Sequence, residues 1–330
     1  MKTLKISFLQ STPDFGREGM LQLLKSRYHV VEDDSDFDYL VAWFYVNREA
    51  FYDFLERAPG HITVMYGCHE AIAPDFMLFD YYIGLDTVPG SDRTVKLPYL
   101  RHHLEEVHGG KEGLDAHALL ASKTGFCNFI YANRKSHPNR DSMFHKLSAF
   151  RFVNSLGPHL NNTPGDGHRA EDWYASSIRM KKPYKFSIAF ENAWYPGYTS
   201  EKIVTSMLAG TIPIYWGNPD ISREFNSASF INCHDFPTLD DAAAYVKKVD
   251  EDDNLWCEIM SRPWKTPEQE ARFLEETERE TAKLYKIFDQ SPEEARRKGD
   301  GTWVSYYHRF LKRGHRMQLA WRRLKNRLRR

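Results

Sequence analysis

The segment 190–202, FENAWYPGYTSEK, gathers an unusual number of hydrogen-bonding and charged side chains into one turn. An apolar run precedes it, and Glu201 and Lys202 stand where a helix is predicted to begin, after Thr199 or Ser200 as its cap. A helix N-terminus carries unpaired N–H groups and a partial positive charge. A lysine there opposes the helix dipole unless an anion neutralises both, and a neighbouring carboxylate can accept hydrogen bonds from ribose hydroxyls. The pattern therefore suggests a nucleotide diphosphate, with a surface Glu–Lys pair as the simpler alternative.

A second basic residue has a matching position. Arg140 opens a predicted helix that follows the predicted strand 126–132, and Asn133 lies just upstream of it. In open α/β sheets, ligands bind beyond the carboxyl ends of strands, where the following helices begin. Arg140 is therefore a candidate second cation for a diphosphate, and Asn133 a candidate hydrogen-bonding partner of a base or backbone. The alternative is a surface arginine beside a turn asparagine.

The elements that must position these residues alternate between strand and helix in two blocks. The first block has predicted strands at 4–9, 38–44, 61–67, 80–85 and 95–100, with helices at 17–28 and 48–58. The second has strands at 126–132, 184–190, 211–217 and 229–236, with helices at 140–150, 200–210 and 239–249. Such alternation predicts an α/β fold with parallel sheets covered by helices. The simplest architecture is two doubly wound, Rossmann-like domains that face each other across a cleft.

Domain bounds follow from the polar, glycine-containing stretch 101–123, which is the best candidate linker. We expect an N-terminal acceptor-binding domain at 1–120 and a C-terminal nucleotide-binding domain at 121–295. A helical tail is expected at 296–330. Gly210 is predicted to end the helix that starts near Glu201, in the left-handed conformation that glycine tolerates.

Several classes of protein are disfavoured by what the sequence lacks. Neither block carries a GxGxxG or GxxxxGK[ST] loop, so NAD-binding and P-loop proteins lack their fingerprints. The four cysteines are scattered without a CxxC pair, which favours free thiols in a reducing cytosol. No stretch reaches the ~18 apolar residues of a transmembrane helix. The acidic runs 32–38 and 250–253 are interpreted as solvated loops, so no essential metal is expected.

Charge is distributed unevenly along the chain. Lys plus Arg and Asp plus Glu both number 45, yet residues 302–330 contain ten basic residues and no acidic one. In the tail, Met317, Ala320, Trp321, Leu324 and Leu328 fall on one helical stripe flanked by arginines and lysines. Such a helix is typical of an anionic membrane surface. A solvated or partner-packed helix is the alternative, and the acidic body disfavours nucleic acid.

Three ordered blocks of the second half resemble a known family. The stretch 186–221 (FSIAFENAWYPGYTSEKIVTSMLAGTIPIYWGNPDI) is similar to the signature block of the α1,3-fucosyltransferases, roughly FxxxFEN-x(5)-Y-x-[ST]EK followed by a helix and a strand. The stretch 126–150 resembles the family's preceding block, and 222–236 resembles its next one. The bacterial type, which includes Helicobacter enzymes that make Lewis antigens, is the most similar.

The resemblance implies an inverting transferase of GT-B architecture that uses GDP-fucose. It makes Arg140 and Lys202 the diphosphate cations and Glu201 the ribose ligand. It also places the remaining members of the GDP-fucose-binding set beside the nucleotide-sugar: Asn192, Tyr198, Glu191 and Asn133. The run from Asn133 to Arg140 is one residue longer than the family's usual spacing.

The resemblance also implies a catalytic base after the third apolar strand. The stretch 66–85, YGCHEAIAPDFMLFDYYIGL, is similar to the family's Gly-Glu-Asn-x-x-Pro-Asp-Phe segment and makes Glu70 the base. It departs from that pattern, because two residues separate Gly67 from Glu70 and alanines replace the polar residues expected after it. His69 and Asp75 remain possible competitors or assistants of Glu70.

The implied activity is transfer of L-fucose to the 3-OH, or also the 4-OH, of GlcNAc or Glc in a β-galactoside acceptor. That acceptor would be an oligosaccharide or glycolipid, in Lewis-type glycan or lipopolysaccharide synthesis at the cytoplasmic face of the membrane. No cofactor is expected, and a divalent metal would at most stimulate. The alternatives are a non-catalytic, membrane-associated nucleotide-sugar-binding protein and a GT-B transferase with another donor. The sequence leaves the acceptor and the oligomeric state open.

Overall fold

The computed structural model describes residues 1–9, 17–43, 48–67, 70–85, 88–96, 113–164, 172–299 and 301–328. The chain forms two compact units, Met1–Tyr99 with Thr277–Arg330, and Leu100–Glu276. Each unit is built around one parallel sheet. The predicted α/β fold of GT-B type is thereby confirmed.

The first unit contains a six-stranded sheet. Its strands are β1 (Thr3–Leu9), β2 (His29–Glu32), β3 (Tyr39–Ala42), β4 (Ile62–Tyr66), β5 (Tyr81–Gly84) and β6 (Thr94–Lys96). They lie in the order β2-β1-β3-β4-β5-β6, and every neighbouring pair is parallel. Helices α1 (Arg17–Lys25) and α2 (Arg48–Arg57) belong to the same unit. The three strands β3, β4 and β5 are buried at every residue, as expected for a parallel sheet covered on both faces.

The second unit contains a five-stranded sheet. Its strands are β7 (Gly125–Phe129), β8 (Val153–Ser155), β9 (Tyr184–Phe190), β10 (Ile212–Trp216) and β11 (Ile231–Asn232), in the parallel order β11-β10-β9-β7-β8. Its helices are α3 (Ala116–Ala121), α4 (Asn139–Phe150), α5 (Trp173–Lys181), α6 (Glu201–Leu208), α7 (Leu239–Glu251) and α8 (Asp253–Ser261). The chain winds from β7 to β8 on one side and from β9 to β11 on the other. β7 and β9 therefore flank the switch point at which ligands bind in such sheets.

The C-terminal boundary between the two units differs from the predicted one. The prediction placed 121–295 in the second domain and 296–330 in a separate tail, whereas Thr277–Arg330 belongs to the first unit. Helix α9 (Pro267–Asp289) spans the unit boundary, and its last turns belong to the first unit. Leu284, Ile287 and Phe288 are buried there in the same core as Tyr39 of β3. This apolar face is the reason why residues 277–295 belong with the N-terminal sheet.

The last elements are the short helix α10 (Pro292–Ala295) and the long helix α11 (Thr302–Arg327), so the predicted helical tail is confirmed. One side of α11 packs within the first unit, where Tyr307 and Leu311 contact a core that includes Phe54. His315 is buried and stacks on Tyr52 of α2. The opposite side of α11 is exposed along its whole length.

Most predicted elements are present with ends shifted by a few residues. Strand 184–190 matches β9, while predicted strand 229–236 is reduced to the two-residue β11 between short 3-10 turns. The prediction missed β2, β8, α3 and α5. The two strands are short edge or near-edge strands, with four and three residues, and are too brief to show an apolar period.

Candidate active site

The candidate donor site lies at the carboxyl ends of β7 and β9, on either side of the switch point of the second sheet. The chain leaves β9 at Phe190, turns through residues 191–200, and enters α6 at Glu201. Helix α4, which follows β7, begins at Asn139. Because β7 and β9 are parallel neighbours, their carboxyl ends bring Arg140 and the 190–202 segment together.

Arg140 is fully buried at this point. Its Nη2 donates to the carbonyl oxygen of Phe190 at 3.0 Å and to Oδ1 of Asn192 at 2.7 Å. The guanidinium lies 4.0 Å over the ring of Tyr131. Its Nε and Nη1 have no hydrogen-bond partner, and among the described residues no carboxylate lies within ion-pair distance of it. Buried cations are usually paired, so this arrangement favours an anionic ligand.

Glu191 organises the turn from the inside. Its side chain is fully buried, and its carboxylate accepts hydrogen bonds from the Ser200 amide at 2.8 Å and the Ser200 hydroxyl at 2.6 Å. It also pairs with Nζ of Lys202 at 3.1 Å. Glu191 was predicted among the residues that bind GDP-fucose. The geometry instead gives it contact with Lys202 and the start of α6, because both oxygens are already engaged within the protein.

Lys202 is the second cation of the site, and its side chain is 16% exposed. Its Nζ lies 2.7 Å from the Ser200 hydroxyl and 3.5 Å from the Glu201 carboxylate. Burial alone lowers the pKa of this ammonium, but the negative charges of Glu191 and Glu201 outweigh burial and raise the pKa above its ordinary value. Lys202 is therefore charged throughout the neutral pH range.

Asn192 links Arg140 to Tyr198 and to the residues before α4. Asn192 accepts from Arg140, and its Nδ2 donates to the Tyr198 hydroxyl at 3.3 Å. The Asn192 carbonyl also accepts from the backbone amide of His137, at 2.9 Å, just before α4. Tyr198 is 1% exposed, so its ring forms part of the site's floor. These contacts fix the loop after β9 against the start of α4.

The start of α6 differs from the predicted cap in its chemistry. Ser200 is the N-cap residue, but its side chain makes no hydrogen bond to the helix amides. It donates to Glu191 instead, so the Ser200 side chain does not cap the first N–H groups of α6. At the other end Gly210 has φ 64°, as predicted, and its amide donates to the Met207 carbonyl at 2.9 Å. The uncapped N-terminus is suited to an anion.

Gly217, directly after β10, makes room for Glu191. Its φ is +150°, and a Cβ atom placed on it would lie 2.4 Å from Cγ of Glu191. The amide of Gly217 donates to Nε2 of His234 at 3.2 Å. Any side chain at position 217 would displace the carboxylate that pairs with Lys202, so the glycine is required by the site.

Asn133 lies outside this hydrogen-bond network. It is exposed, and its Oδ1 accepts from the Lys135 amide at 2.8 Å within its own turn. This is the turn-asparagine alternative left open by the sequence. A nucleotide contact by Asn133 stays a prediction.

Glu70 lies in the first unit, after the carboxyl end of β4. Its amide donates to the Gly67 carbonyl at 3.1 Å, and its own carbonyl accepts from Ile72 at 2.9 Å, which forms a tight turn. Asp75 is engaged elsewhere, because its carboxylate accepts from the Met77 amide at 3.1 Å and from the Tyr307 hydroxyl at 3.1 Å. The other competitor, His69, lies outside the described residues. Glu70 thus remains the predicted base.

Sequence reasoning missed two features of the site. Lys181 at the end of α5 is buried behind the first turn of α6, and the rings of Trp216 and His137 lie 4.5 Å apart between centroids at an interplanar angle of 35°. Lys181 stands in the run MKKPYK, where nothing distinguishes it from the neighbouring lysines. Trp216 ends an apolar strand and was predicted only as part of that strand. Only the three-dimensional packing identifies either residue.

The described part of the chain has neither a metal-binding cluster nor a membrane-spanning helix. It holds no group of three or more His, Cys, Asp or Glu side chains that could bind a metal ion. None of its helices is long and apolar enough to cross a membrane. Cys127, Cys233 and Cys257 are buried free thiols.

Two parallel-sheet units, with a cationic site at the switch point of the second, are the architecture of a GT-B protein. The chain belongs to glycosyltransferase family 10, the fucosyltransferases, because its residues 120–296 match the model of the C-terminal part of that family. The resemblance inferred from the motifs is therefore confirmed.

Individual relatives agree with this family assignment. The chain is 29% identical over 238 residues to "Alpha-(1,3)-fucosyltransferase FucT" of Helicobacter pylori, an alignment that covers 62% of this chain and 48% of the relative. The chain thus spans about half the length of that relative. A crystal structure of an α1,3-fucosyltransferase matches with a TM-score of 0.65 and 23% identity, covering 85% of this chain and 90% of the other. A structure described as α1,3-fucosyltransferase with GDP matches with a TM-score of 0.63 and 25% identity, covering 80% and 83%.

Proposed function

We propose that this protein is an inverting fucosyltransferase that moves L-fucose from GDP-fucose to a hydroxyl group of a glycan. The observation that carries the proposal is the pair of buried cations at the switch point. Arg140 has two unpaired nitrogen donors, and Lys202 lies in the first turn of an uncapped helix. Both favour a diphosphate, and the family assignment favours GDP-fucose as its source.

The reaction requires the departing diphosphate to be stabilised as negative charge develops on it. Arg140, Lys202 and the first amides of α6 provide fixed positive charge for this purpose. Asn192 and Tyr198 hold the Arg140 side and Glu191 holds the Lys202 side, so the charges are preorganised before the donor binds. Glu201, at the start of the same helix, is proposed to accept hydrogen bonds from the ribose hydroxyls.

The acceptor hydroxyl must lose a proton as it attacks. We assign this proton to the carboxylate of Glu70. In a single displacement the acceptor oxygen bonds to C1 of fucose, the bond from C1 to the phosphate oxygen breaks, and GDP leaves with that electron pair. The configuration at C1 is inverted. General-base assistance of this kind typically contributes a factor of about 10² to 10⁴ in rate.

No essential metal ion is part of the proposal. In nucleotide-sugar transfer a divalent cation would neutralise the diphosphate, and here two side-chain cations and a helix N-terminus are available for that task. A divalent metal would at most stimulate the reaction. This can be tested with a chelator, which should leave most of the activity intact.

For the acceptor we propose the 3-OH, or also the 4-OH, of GlcNAc or Glc in a β-galactoside, on an oligosaccharide or glycolipid of the Lewis or lipopolysaccharide type. The printed name of the Helicobacter pylori relative, an α-(1,3)-fucosyltransferase, supports this choice. A panel of Galβ1,4GlcNAc, Galβ1,3GlcNAc and lactose distinguishes the three acceptor types.

We further propose that the protein works at the cytoplasmic face of the membrane and is attached through α11. The exposed face of that helix carries an apolar stripe, interrupted at Arg313 and Gly314: Trp303, Tyr306, Phe310, Met317, Trp321, Leu324 and Leu328, each at least 50% exposed. This extends the predicted stripe by more than three turns toward the N-terminus. Residues 302–330 contain ten basic residues and no acidic one, which suits anionic lipid headgroups.

The donor is tested by calorimetric titration of the full chain with GDP-fucose, GDP-mannose, UDP-glucose and ADP-ribose. The proposal expects the tightest binding from GDP-fucose, and weaker binding of GDP-fucose by Arg140→Met. Preference for a UDP- or ADP-sugar would contradict the assignment of the donor.

A further inference from the structure

Lys181, the last residue of α5, is a buried cation behind the first turn of α6. Its side chain is only 5% exposed. Its Nζ donates to Oγ1 of Thr205 at 2.6 Å, to Oγ of Ser206 at 3.3 Å, and to the backbone carbonyl of Lys202 at 3.5 Å. All these acceptors are neutral, and within the described chain no carboxylate lies at ion-pair distance. Burying an ammonium without a counter-ion is costly, so Lys181 is a candidate for a functional role.

The acceptors of Lys181 belong to the first two turns of α6. The Lys202 carbonyl also accepts from the hydroxyls of Ser206 at 2.7 Å and Thr205 at 3.3 Å, so these groups form one compact cluster. Lys202 is thereby fixed twice. Its backbone is held from behind by this cluster, and its ammonium is held in front by Glu191 and Ser200.

A chain of buried hydrogen bonds connects the same cluster to the sheet. Oγ of Ser206 lies 3.1 Å from Oγ of Ser187 on β9, and Ser187 donates to Oδ1 of Asn128 on β7 at 2.9 Å. Nδ2 of Asn128 donates back to the Phe186 carbonyl at 3.0 Å. Ser206, Ser187 and Asn128 are all fully buried. The start of α6 is therefore tied to the two strands that flank the switch point.

We propose that Lys181 is a positioning residue for the donor diphosphate: its ammonium fixes the first turn of α6 and adds positive charge behind Lys202, so that its protonated form increases the affinity for GDP-fucose. This inference rests on the proposed function, since it assigns Lys181 to the donor site of that reaction. Lys181 does not touch the donor, and it acts through the backbone of Lys202 and through its charge.

The charge state of Lys181 makes this role dependent on pH. Burial lowers the pKa of Lys181 to about 7, with Glu201 and Glu191 opposing that shift and Lys202 adding to it. A diphosphate bound at α6 adds negative charge and so raises this pKa in the complex. By linkage, affinity for the donor is then fully present below about pH 7 and falls as pH rises through the pKa of the free protein. Lys202 cannot cause this change, because its own pKa is raised.

The chain offers a matched control in Lys123. This lysine contacts the opposite end of α6, where its Nζ donates to the carbonyls of Lys182 at 2.7 Å and Ala209 at 3.4 Å. Burial lowers the pKa of Lys123 to about 8. Lys123 and Lys181 thus both hydrogen-bond to α6, and burial lowers the pKa of each. Lys123 contacts the C-terminal end of α6, and Lys181 contacts its first two turns.

The experiment measures the dissociation constant of GDP-fucose by calorimetry from pH 6 to pH 9 for the wild type, Lys181→Met and Lys123→Met. GDP-fucose is the probe because its diphosphate has no group that titrates near neutral pH. For Lys181→Met we expect binding about tenfold weaker at pH 6, the factor of one pKa unit, and a flatter pH profile. Lys123→Met should retain the affinity and the profile of the wild type. A folded Lys181→Met with the wild-type affinity and profile would overturn the inference.

A second measurement needs no variant and so stands even if Lys181→Met fails to fold. Titration of the wild type at pH 7.5 in two buffers of different ionisation enthalpy gives the number of protons taken up on binding. We expect net uptake of a fraction of a proton, and zero uptake or net release would overturn the inference. Tight GDP-fucose binding with no uptake would leave the proposed function standing. Failure of the wild type to bind GDP-fucose at all would overturn both.

Discussion

At the scale of single residues, the site consists of two cations that are held by different means. Arg140 is held by a carbonyl, an amide side chain and an aromatic ring, without a carboxylate. Lys202 is paired with the buried Glu191. Since removing one partner of a buried pair leaves the other uncompensated, the two cations should respond differently to mutation.

Lys202→Met should weaken GDP-fucose binding by about 1.5 to 3 kcal/mol, the range for hydrogen bonds to charged groups. It should also lower the melting temperature, because Glu191 is left buried without its counter-ion. Calorimetry and thermal unfolding measure the two effects. Adding Glu191→Gln to Lys202→Met should restore part of the stability but none of the affinity.

Lys182→Met, at an exposed position of the same unit, serves as control. Unchanged affinity in Lys202→Met would refute its diphosphate role.

Glu70→Gln tests the base. We expect kcat to fall by about 10² to 10⁴ while GDP-fucose binding stays within twofold, because the base acts on the acceptor and not on the diphosphate. Asp75→Asn is the comparison, since Asp75 bonds to Tyr307 and should affect stability more than turnover. If Asp75→Asn abolished turnover and Glu70→Gln did not, the two assignments would be exchanged.

The positions of Arg140 and Lys202 in the first turns of α4 and α6 could be predicted from the sequence, and their diphosphate role stays a prediction. The roles of Glu191 and Lys181 could not be predicted. Glu191 is one residue from Asn192, and only the turn geometry shows that its carboxylate faces inward to Ser200 and Lys202. Lys181 depends on how α5 packs against α6, which no local pattern encodes.

At the scale of elements, the crossover from β9 through α6 to β10 carries the site. Its strands are mostly apolar and buried, and Gly210 ends the helix with a positive φ, so its position was predictable. The short strands β2 and β8 were not, because their pairing depends on the neighbouring long strands. The cap of α6 was predicted in position only. Its chemistry depends on a carboxylate nine residues upstream.

Gly217→Ala tests whether this crossover sets the geometry of the cation. The added Cβ would lie 2.4 Å from Glu191, so we expect a lower melting temperature together with weaker GDP-fucose binding. Gly314→Ala is the control, because Gly314 lies inside α11 with open space around it and the change should stabilise the helix by about 0.5 to 1 kcal/mol. A Gly217→Ala protein with the wild-type affinity for GDP-fucose would show that Glu191 does not position Lys202.

At the scale of the whole molecule, the basic residues are concentrated in the C-terminal helix, and acidic residues outnumber basic ones in the rest of the chain. The acidic body contains both sheets, and the basic α11 packs on the first unit with one face only. The two units meet at Tyr99 and Leu100, whereas the sequence predicted a bound at residues 120 and 121, and the C-terminal side was not predictable. There, α9 crosses from one unit to the other and buries Leu284 and Phe288 in the first core. An amphipathic pattern shows that a helix packs, but not on which of two sheets.

The exposed stripe of α11 predicts binding to anionic vesicles. The full chain should sediment with phosphatidylglycerol-containing vesicles, bind pure phosphatidylcholine weakly, and be released by salt, since each basic residue near the surface contributes about 1 kcal/mol. Replacing Met317, Trp321 and Leu324 together by serine should abolish binding and leave GDP-fucose affinity unchanged. Equal binding of the triple variant would show that charge alone, or another surface, is responsible.

We propose that Arg140 and Lys202 bind the diphosphate of GDP-fucose in a transfer reaction that inverts C1. The most direct measurement incubates the full chain with GDP-fucose and the three β-galactoside acceptors, and follows the anomeric proton of fucose by NMR. We expect loss of the donor signal and appearance of a fucosylated glycan with the opposite configuration at C1, together with one equivalent of GDP. Binding of GDP-fucose without transfer to any acceptor, or transfer with retained configuration, would contradict this proposal.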